Sequence, residues 1–230
     1  MTRHRLSLAA IFVVTALAGA AIAASTPPPM WDNLVRVPTK KFDAAYILPG
    51  ADFRPYTKVI LDAPEVAFKK DFQRDYNNTT MSLGSRITDS DMREAMERVR
   101  TGFEGVFTEA YTQAGWQIAT APAADTLRVH TAVINIDVNA PDQMTAGRSR
   151  SFSETAGSAV LVLEVRDSQT NEILGRVADG RVAGNSSMYI RNRGTNRADF
   201  RRLFKLWATS SANGLTTLKG MSPYNGGPVR

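Results

Sequence analysis

Asp167, Glu172 and Asp179 fall within one short stretch, LEVRDSQTNEILGRVADGR from Leu163 to Arg181, and three carboxylates that close raise metal or acid–base chemistry first. A carboxylate pair acting on a glycosidic bond needs its carboxyls about 5 to 9.5 Å apart, in a cleft that separates their pKa values. The same residues have a plainer reading. Asp167-Ser168-Gln169-Thr170-Asn171 stands between two strand-like runs. Asp and Ser favour the start of a tight turn, and Asn tolerates positive φ near its end. Asp167 and Glu172 then bracket a hairpin at a solvated tip, where no apolar wall raises a pKa. Changing either is expected to move stability by less than about 1 kcal/mol. The residues favour the turn, so no catalytic residue is assigned.

Other reactive inventories are missing. The chain has no cysteine and two histidines. That excludes a disulfide framework, a thiolate metal site, a cysteine nucleophile and a lipid-modified cysteine. His4 belongs to a leader, which leaves His130 as a lone imidazole within TLRVHTAVINIDV, a strand-like run where a histidine is expected to be structural or half-exposed. No HExxH, GxGxxG, GxxxxGK[ST], DxDxDG or GxSxG spacing is present, and no metal or cofactor is expected. The aromatic residues Trp31, Tyr46, Trp116 and Tyr189 are candidates to line a small-ligand pocket or, more simply, to pack.

The one concentration of charge that suits a ligand is basic. Arg181, Arg191, Arg193, Arg197, Arg201 and Arg202 gather around SSMYIRNRGTN, read as a loop with an apolar tip of Met188, Tyr189 and Ile190. Guanidinium forks fit phosphate and carboxylate groups, and an apolar tip beside them suits an interface. The net charge of +6 includes Arg3 and Arg5 of the leader. A modest remaining charge on an exported chain points away from nucleic acid and toward an anionic envelope surface or an envelope protein.

The leader itself has the pattern of a secretory signal. Arg3 and Arg5 precede an uncharged run from Leu6 to about Ala20, and Ala21-Ile22-Ala23 offers small residues for cleavage. The run is shorter than the ~20 apolar residues of a spanning helix. Residues 1–23 are therefore expected to be removed, leaving no transmembrane anchor. Residues 24–30, with STPPP, read as a flexible linker. Residues 31–220 read as one domain and 221–230 as a flexible tail.

Within the domain, Tyr56–Asp62, Thr126–Val138, Ala159–Arg166 and Glu172–Val182 read as strands, and Lys69–Arg86 as an irregular loop. Thr88 with Asp91 makes a capping signal for a helix whose Met92, Val99, Phe103, Phe107 and Tyr111 recur at three- and four-residue spacing, ending at Gly115. Asn196 with Asp199 marks the start of a second helix, apolar through Leu203, Phe204, Trp207, Leu215 and Leu218 and ending at Gly220. Its other side carries Arg197, Arg201, Arg202 and Lys205.

Taken in order, the secretory leader, YILPGADFRPYTKVILDAPEVAF, RITDSDMREAM, TLRVHTAVINIDV and VLEVRDSQTNEILGRVADGR resemble the bacterial envelope family catalogued as domain of unknown function thirty-three thirteen, over about Trp31 to Lys219. The resemblance implies a Gram-negative periplasmic location. Many members are outer-membrane lipoproteins with a cysteine after the leader, a pattern from which this chain departs. It transfers no catalytic residues.

The expected fold is α+β in two layers, a mostly antiparallel sheet of four to five strands with two helices on one face. The expected function is that of a non-enzymatic periplasmic protein acting by binding or assembly at the envelope. A carboxylate-based glycan hydrolase and a small-ligand binder are the alternatives.

Overall fold

The computed structural model describes residues 26–80, 84, 86–138, 152–190 and 193–226. The expected signal peptide, residues 1–23, lies outside them.

The longest strand-forming runs set the architecture. Thr126–Val138 is rich in β-branched residues and forms β7; Phe152–Asp167 forms β8 and Ile173–Ile190 forms β9. β8 pairs antiparallel with β7 and with β9. Five shorter strands and β4 complete the sheet: β1 Met30–Trp31, β2 Leu34–Val37, β3 Ala44–Ile47, β4 Lys58–Leu61, β5 Glu65–Phe68 and β6 Gln117–Ile118. The order is β1-β2-β3-β9-β8-β7-β4-β6, with β5 also on β7. β4 runs parallel to β6 and β7, and β5 runs parallel to β7, so the sheet is mixed.

Alternation along each strand assigns the faces. Val129 and Val133 of β7, and Leu161 and Leu163 of β8, point into one core with α2 (Asp89–Gln113) and α3 (Arg193–Gly220). The two helices meet through Phe103 and Phe204, whose ring centres are 5.2 Å apart and edge-on. Each large apolar side chain buried there contributes roughly 1.5 to 3 kcal/mol. The α2 capping box, in which Thr88 and Asp91 satisfy each other's backbone N–H groups, adds about 1 kcal/mol and fixes the boundary. Gly115, at φ +89°, follows α2 in the left-handed conformation. On the opposite face a small cluster of Leu34, Ala44 and Tyr46 is joined by Trp31 and Ile173.

This architecture corrects the expected two-layer fold with four to five strands and two helices. Among the described residues there are nine strands in one mixed sheet and three helices. The strands not anticipated are two to four residues long, too short for a two-residue alternation to register. The third helix, α1 (Phe72–Thr79), has the sequence FQRDYNNT and buries no residue. It lacks an apolar stripe and read as loop. Phe68, Phe72 and Tyr76 nevertheless stack in series, with centres 5.1 and 6.4 Å apart. Asn77 clasps the chain ahead of α2, its amide donating to the Ile87 carbonyl at 2.9 Å and accepting from the Ile87 N–H at 2.8 Å.

Described residues in three segments expected to be flexible are tied into the fold. Pro28 accepts from the Tyr46 hydroxyl at 3.1 Å and Pro29 from the Arg36 N–H at 2.9 Å, so the end of the proline-rich segment is tied to the sheet edge. The described residues of SSMYIRNRGTN are not loop: β9 continues to Ile190, paired with Phe152, and α3 opens at Arg193. Beyond Gly220, Tyr224 is buried and its backbone exchanges hydrogen bonds with Gly50 and Ala51.

Candidate functional site

The three carboxylates of the opening stretch are not brought together. Asp167 pairs with Leu127 and Asp179 with Leu161, and six residues of β8 separate the two rungs, about 20 Å at strand rise. Asp167 builds the turn. Its carboxylate accepts from the N–H groups of Gln169 and Thr170 at 2.9 and 2.7 Å and from the Tyr56 hydroxyl at 2.8 Å. Partial burial pushes this carboxyl up, but those hydrogen bonds outweigh it and hold it below the usual carboxylate range. Asn171 has φ +61°, as the turn requires, and Glu172 is exposed. Asp167 thus serves as an acceptor for the turn backbone and for Tyr56.

Asp179 has a different task. Residues 177, 179 and 181 of β9 face the helices, which brings this carboxylate under α3 with no side-chain exposure. The Trp207 indole N–H donates to it at 2.7 Å, the Asp43 backbone N–H at 2.9 Å and the Arg181 guanidinium at 2.5 Å. Arg181 also donates to the Lys41 carbonyl at 2.9 Å. In return the Asp43 carboxylate accepts from the Gly180 N–H at 2.9 Å. This node fixes β9, the approach to β3 and α3 relative to one another. Its partners Asp43 and Trp207 were not singled out from sequence. An aspartate at an inward strand position was the available signal, because a carboxylate there demands buried donors.

The six arginines divide accordingly. Arg181 and Arg202 hold carboxylates, Asp179 and the buried Asp199 respectively. Arg191 lies outside the described residues, as does the side chain of Arg193, which opens α3. Arg197 and Arg201 are exposed on α3, and Lys205 follows at the same four-residue interval. That interval lines the three cations on one helix face over about 12 Å. None of the three forms an ion pair among the described residues. Leu206, beside them, is 46% exposed. Asn196, expected as the cap, sits in the first turn because α3 begins three residues earlier.

The remaining candidates pack. Trp31 and Tyr46 meet edge-on at 5.7 Å, and the Arg176 guanidinium lies 4.3 Å above the Trp31 ring. Arg176, nearly buried, pairs with Glu164 at 2.7 Å and Asp32 at 2.8 Å. Trp116 is buried beneath the Lys219 ammonium, 5.1 Å from its ring centre. The side chain of Tyr189 lies outside the described residues. His130 is half-exposed between Asp62 at 3.7 Å and Glu65 at 3.5 Å, contacts across the β4–β5 connection that the sequence did not reveal. Among the described residues no group of three or more His, Cys, Asp or Glu side chains could hold a metal ion, and no helix is long and apolar enough to cross a membrane.

Comparison with solved structures finds distant likenesses. A PelC dodecamer from Paraburkholderia phytofirmans is 11% identical over 73% of this chain and 96% of that one, with a TM-score of 0.37. A minor lipoprotein from Acinetobacter baumannii is 11% identical over 70% and 93%, with a TM-score of 0.37. A Xanthomonas campestris protein of the DUF330 family is 12% identical over 80% and 91%, with a TM-score of 0.39. A search of curated protein sequences finds no match. The model of the family described as "Protein of unknown function (DUF3313)" matches residues 31–211, and the chain belongs to that family.

Proposed function

We propose that this protein acts in the periplasm, after removal of residues 1–23, as a non-enzymatic envelope component that works by binding. Its contact is an anionic envelope surface, met by the Arg197–Arg201–Lys205 face of α3. The carrying observation is the division of charge at this end of the molecule. Asp179 and Asp199 turn inward and are neutralised, while three cations at four-residue spacing stay exposed and unpaired among the described residues. A helix face of that kind offers phosphate groups several cations at once. Each Lys or Arg near an anionic bilayer contributes about 1 kcal/mol, falling off within a Debye length of about 8 Å at physiological salt.

The binding reading also accounts for the carboxylates. Asp167 and Asp179 are committed to backbone, indole and guanidinium donors, which supports a scaffold role for both. Co-sedimentation with vesicles of neutral lipid, and with vesicles containing phosphatidylglycerol, tests the proposal. Retention by the anionic vesicles alone, declining as salt rises, supports it. Equal retention by both, or none by either, contradicts it.

A further inference from the structure

A cleft of about 170 Å³ opens between α2 and the end of β4, and none of the α3 cations lines it. Phe103, Phe107 and Val129 form its apolar floor and are themselves almost fully buried. Asp62 and Glu104 stand on its walls, with Thr131 of β7 also lining it. The cleft is open and its lining part polar, and its volume is about that of a small organic group.

The charges around the cleft are unequal. Asp62 is met by Arg128 at 3.2 Å and by His130 at 3.7 Å, both projecting from β7. Arg100, one turn before Glu104, is directed elsewhere, to the Glu97 carboxylate and the Pro64 carbonyl. Glu104, half-buried as a residue, forms no ion pair or hydrogen bond through its carboxylate among the described residues, and no lysine or arginine lines the cleft. A carboxylate without a counter-charge beside an apolar floor attracts a cation that carries its own apolar body.

We infer that this cleft binds a small organic ammonium ion, with the ammonium against Glu104 and a short branched alkyl group on Phe103, Phe107 and Val129. A metal ion is the poorer fit, because only two carboxylates line the cleft and Arg128 already occupies one of them. The inference stands independently of the anionic-surface reading, since the two sites share no residue.

The test is an NMR titration of the full chain with 3-methylbutylammonium, and with 3-methylbutanol as its neutral isostere. Saturable shifts at the Thr108, Val129 and Thr131 amides, with the ammonium binding at least about tenfold more tightly than the alcohol, are expected. Glu104→Gln should abolish that preference, while Glu109→Gln, on the same helix but outside the cleft, should keep it. The absence of saturable shifts at these amides would overturn the inference. So would equal binding of ammonium and alcohol by the unmodified protein, or a preference that survives Glu104→Gln.

Discussion

The Trp207 indole N–H donates to the Asp179 carboxylate at 2.7 Å, and both side chains are closed to solvent. The pair joins β9 to α3, the helix that follows it, while the Asp43 N–H on the same carboxylate comes from far away in the sequence. It also explains why an acidic residue sits on the core side of β9. Asp179→Ala would leave the buried Trp207 indole and the partly buried Asp43 amide without an acceptor. At about 1 to 3 kcal/mol for the buried indole and about 1 kcal/mol for the partly buried amide, a loss of about 2 to 4 kcal/mol is expected, since Arg181 can turn to water. Urea unfolding measures it, and a loss below about 1 kcal/mol would remove the node from the account.

The hairpin carboxylates should differ from one another. Glu172→Gln at an exposed position is expected to change stability by less than about 0.5 kcal/mol. Asp167→Ala removes the acceptor for two turn amides and for Tyr56, and should cost about 1 to 2 kcal/mol. The structure thus separates two residues that sequence reading treated as equivalent loop-tip charges. Matched denaturation curves for the two variants would show it.

Glu164 sets a pH dependence. Burial pushes its carboxyl up, but hydrogen bonds and charge from Arg166 and Arg176 prevail and hold it below the ordinary range. A lowered folded-state pKa contributes stability that is present above the unfolded value, about 4.3, and is lost as pH falls below it. Glu164→Gln should therefore be less stable than the parent by about 1 to 3 kcal/mol at pH 7, with the gap closing toward pH 3. A gap that widens on acidification would contradict this assignment.

Gly157 and Gly102 make a contrasting pair. At Gly157, φ is +153° and an added Cβ would lie 1.9 Å from the Asp137 carbonyl oxygen, where β7 and β8 shift register. Gly157→Ala must move backbone and should destabilise by more than about 2 kcal/mol. Gly102 lies within α2 with nothing within 4 Å of an added Cβ. Gly102→Ala should stabilise by about 0.5 to 1 kcal/mol. Thermal melts of the two variants should therefore shift in opposite directions.

The parts of the fold legible in the sequence were those with long periodic patterns. β7 spans the anticipated residues, and the α2 cap lies at Thr88 with Asp91, because both signals rest on many residues or on a local exchange of hydrogen bonds. The Asp167–Asn171 turn was equally local. The short strands β1, β2, β3, β5 and β6 were not legible, since their pairing depends on partners distant in the chain. The same limit hid the Asp179 node, which needs Asp43 and Trp207, and the cleft, which exists only where α2 meets β4 and β7. For the basic cluster, composition located the arginines, but only the fold distinguishes Arg181 and Arg202, which face carboxylates, from Arg197 and Arg201, which face solvent.

The proposed function rests on that last distinction, and the variant Arg197→Gln/Arg201→Gln/Lys205→Gln tests it most directly. The three side chains are exposed, so the variant should fold with an unchanged melting temperature. Removing about 1 kcal/mol of attraction per residue should weaken its partition onto phosphatidylglycerol vesicles on the order of a hundredfold at physiological salt. A folded variant that partitions onto those vesicles as strongly as the parent would contradict the α3 face as the contact surface.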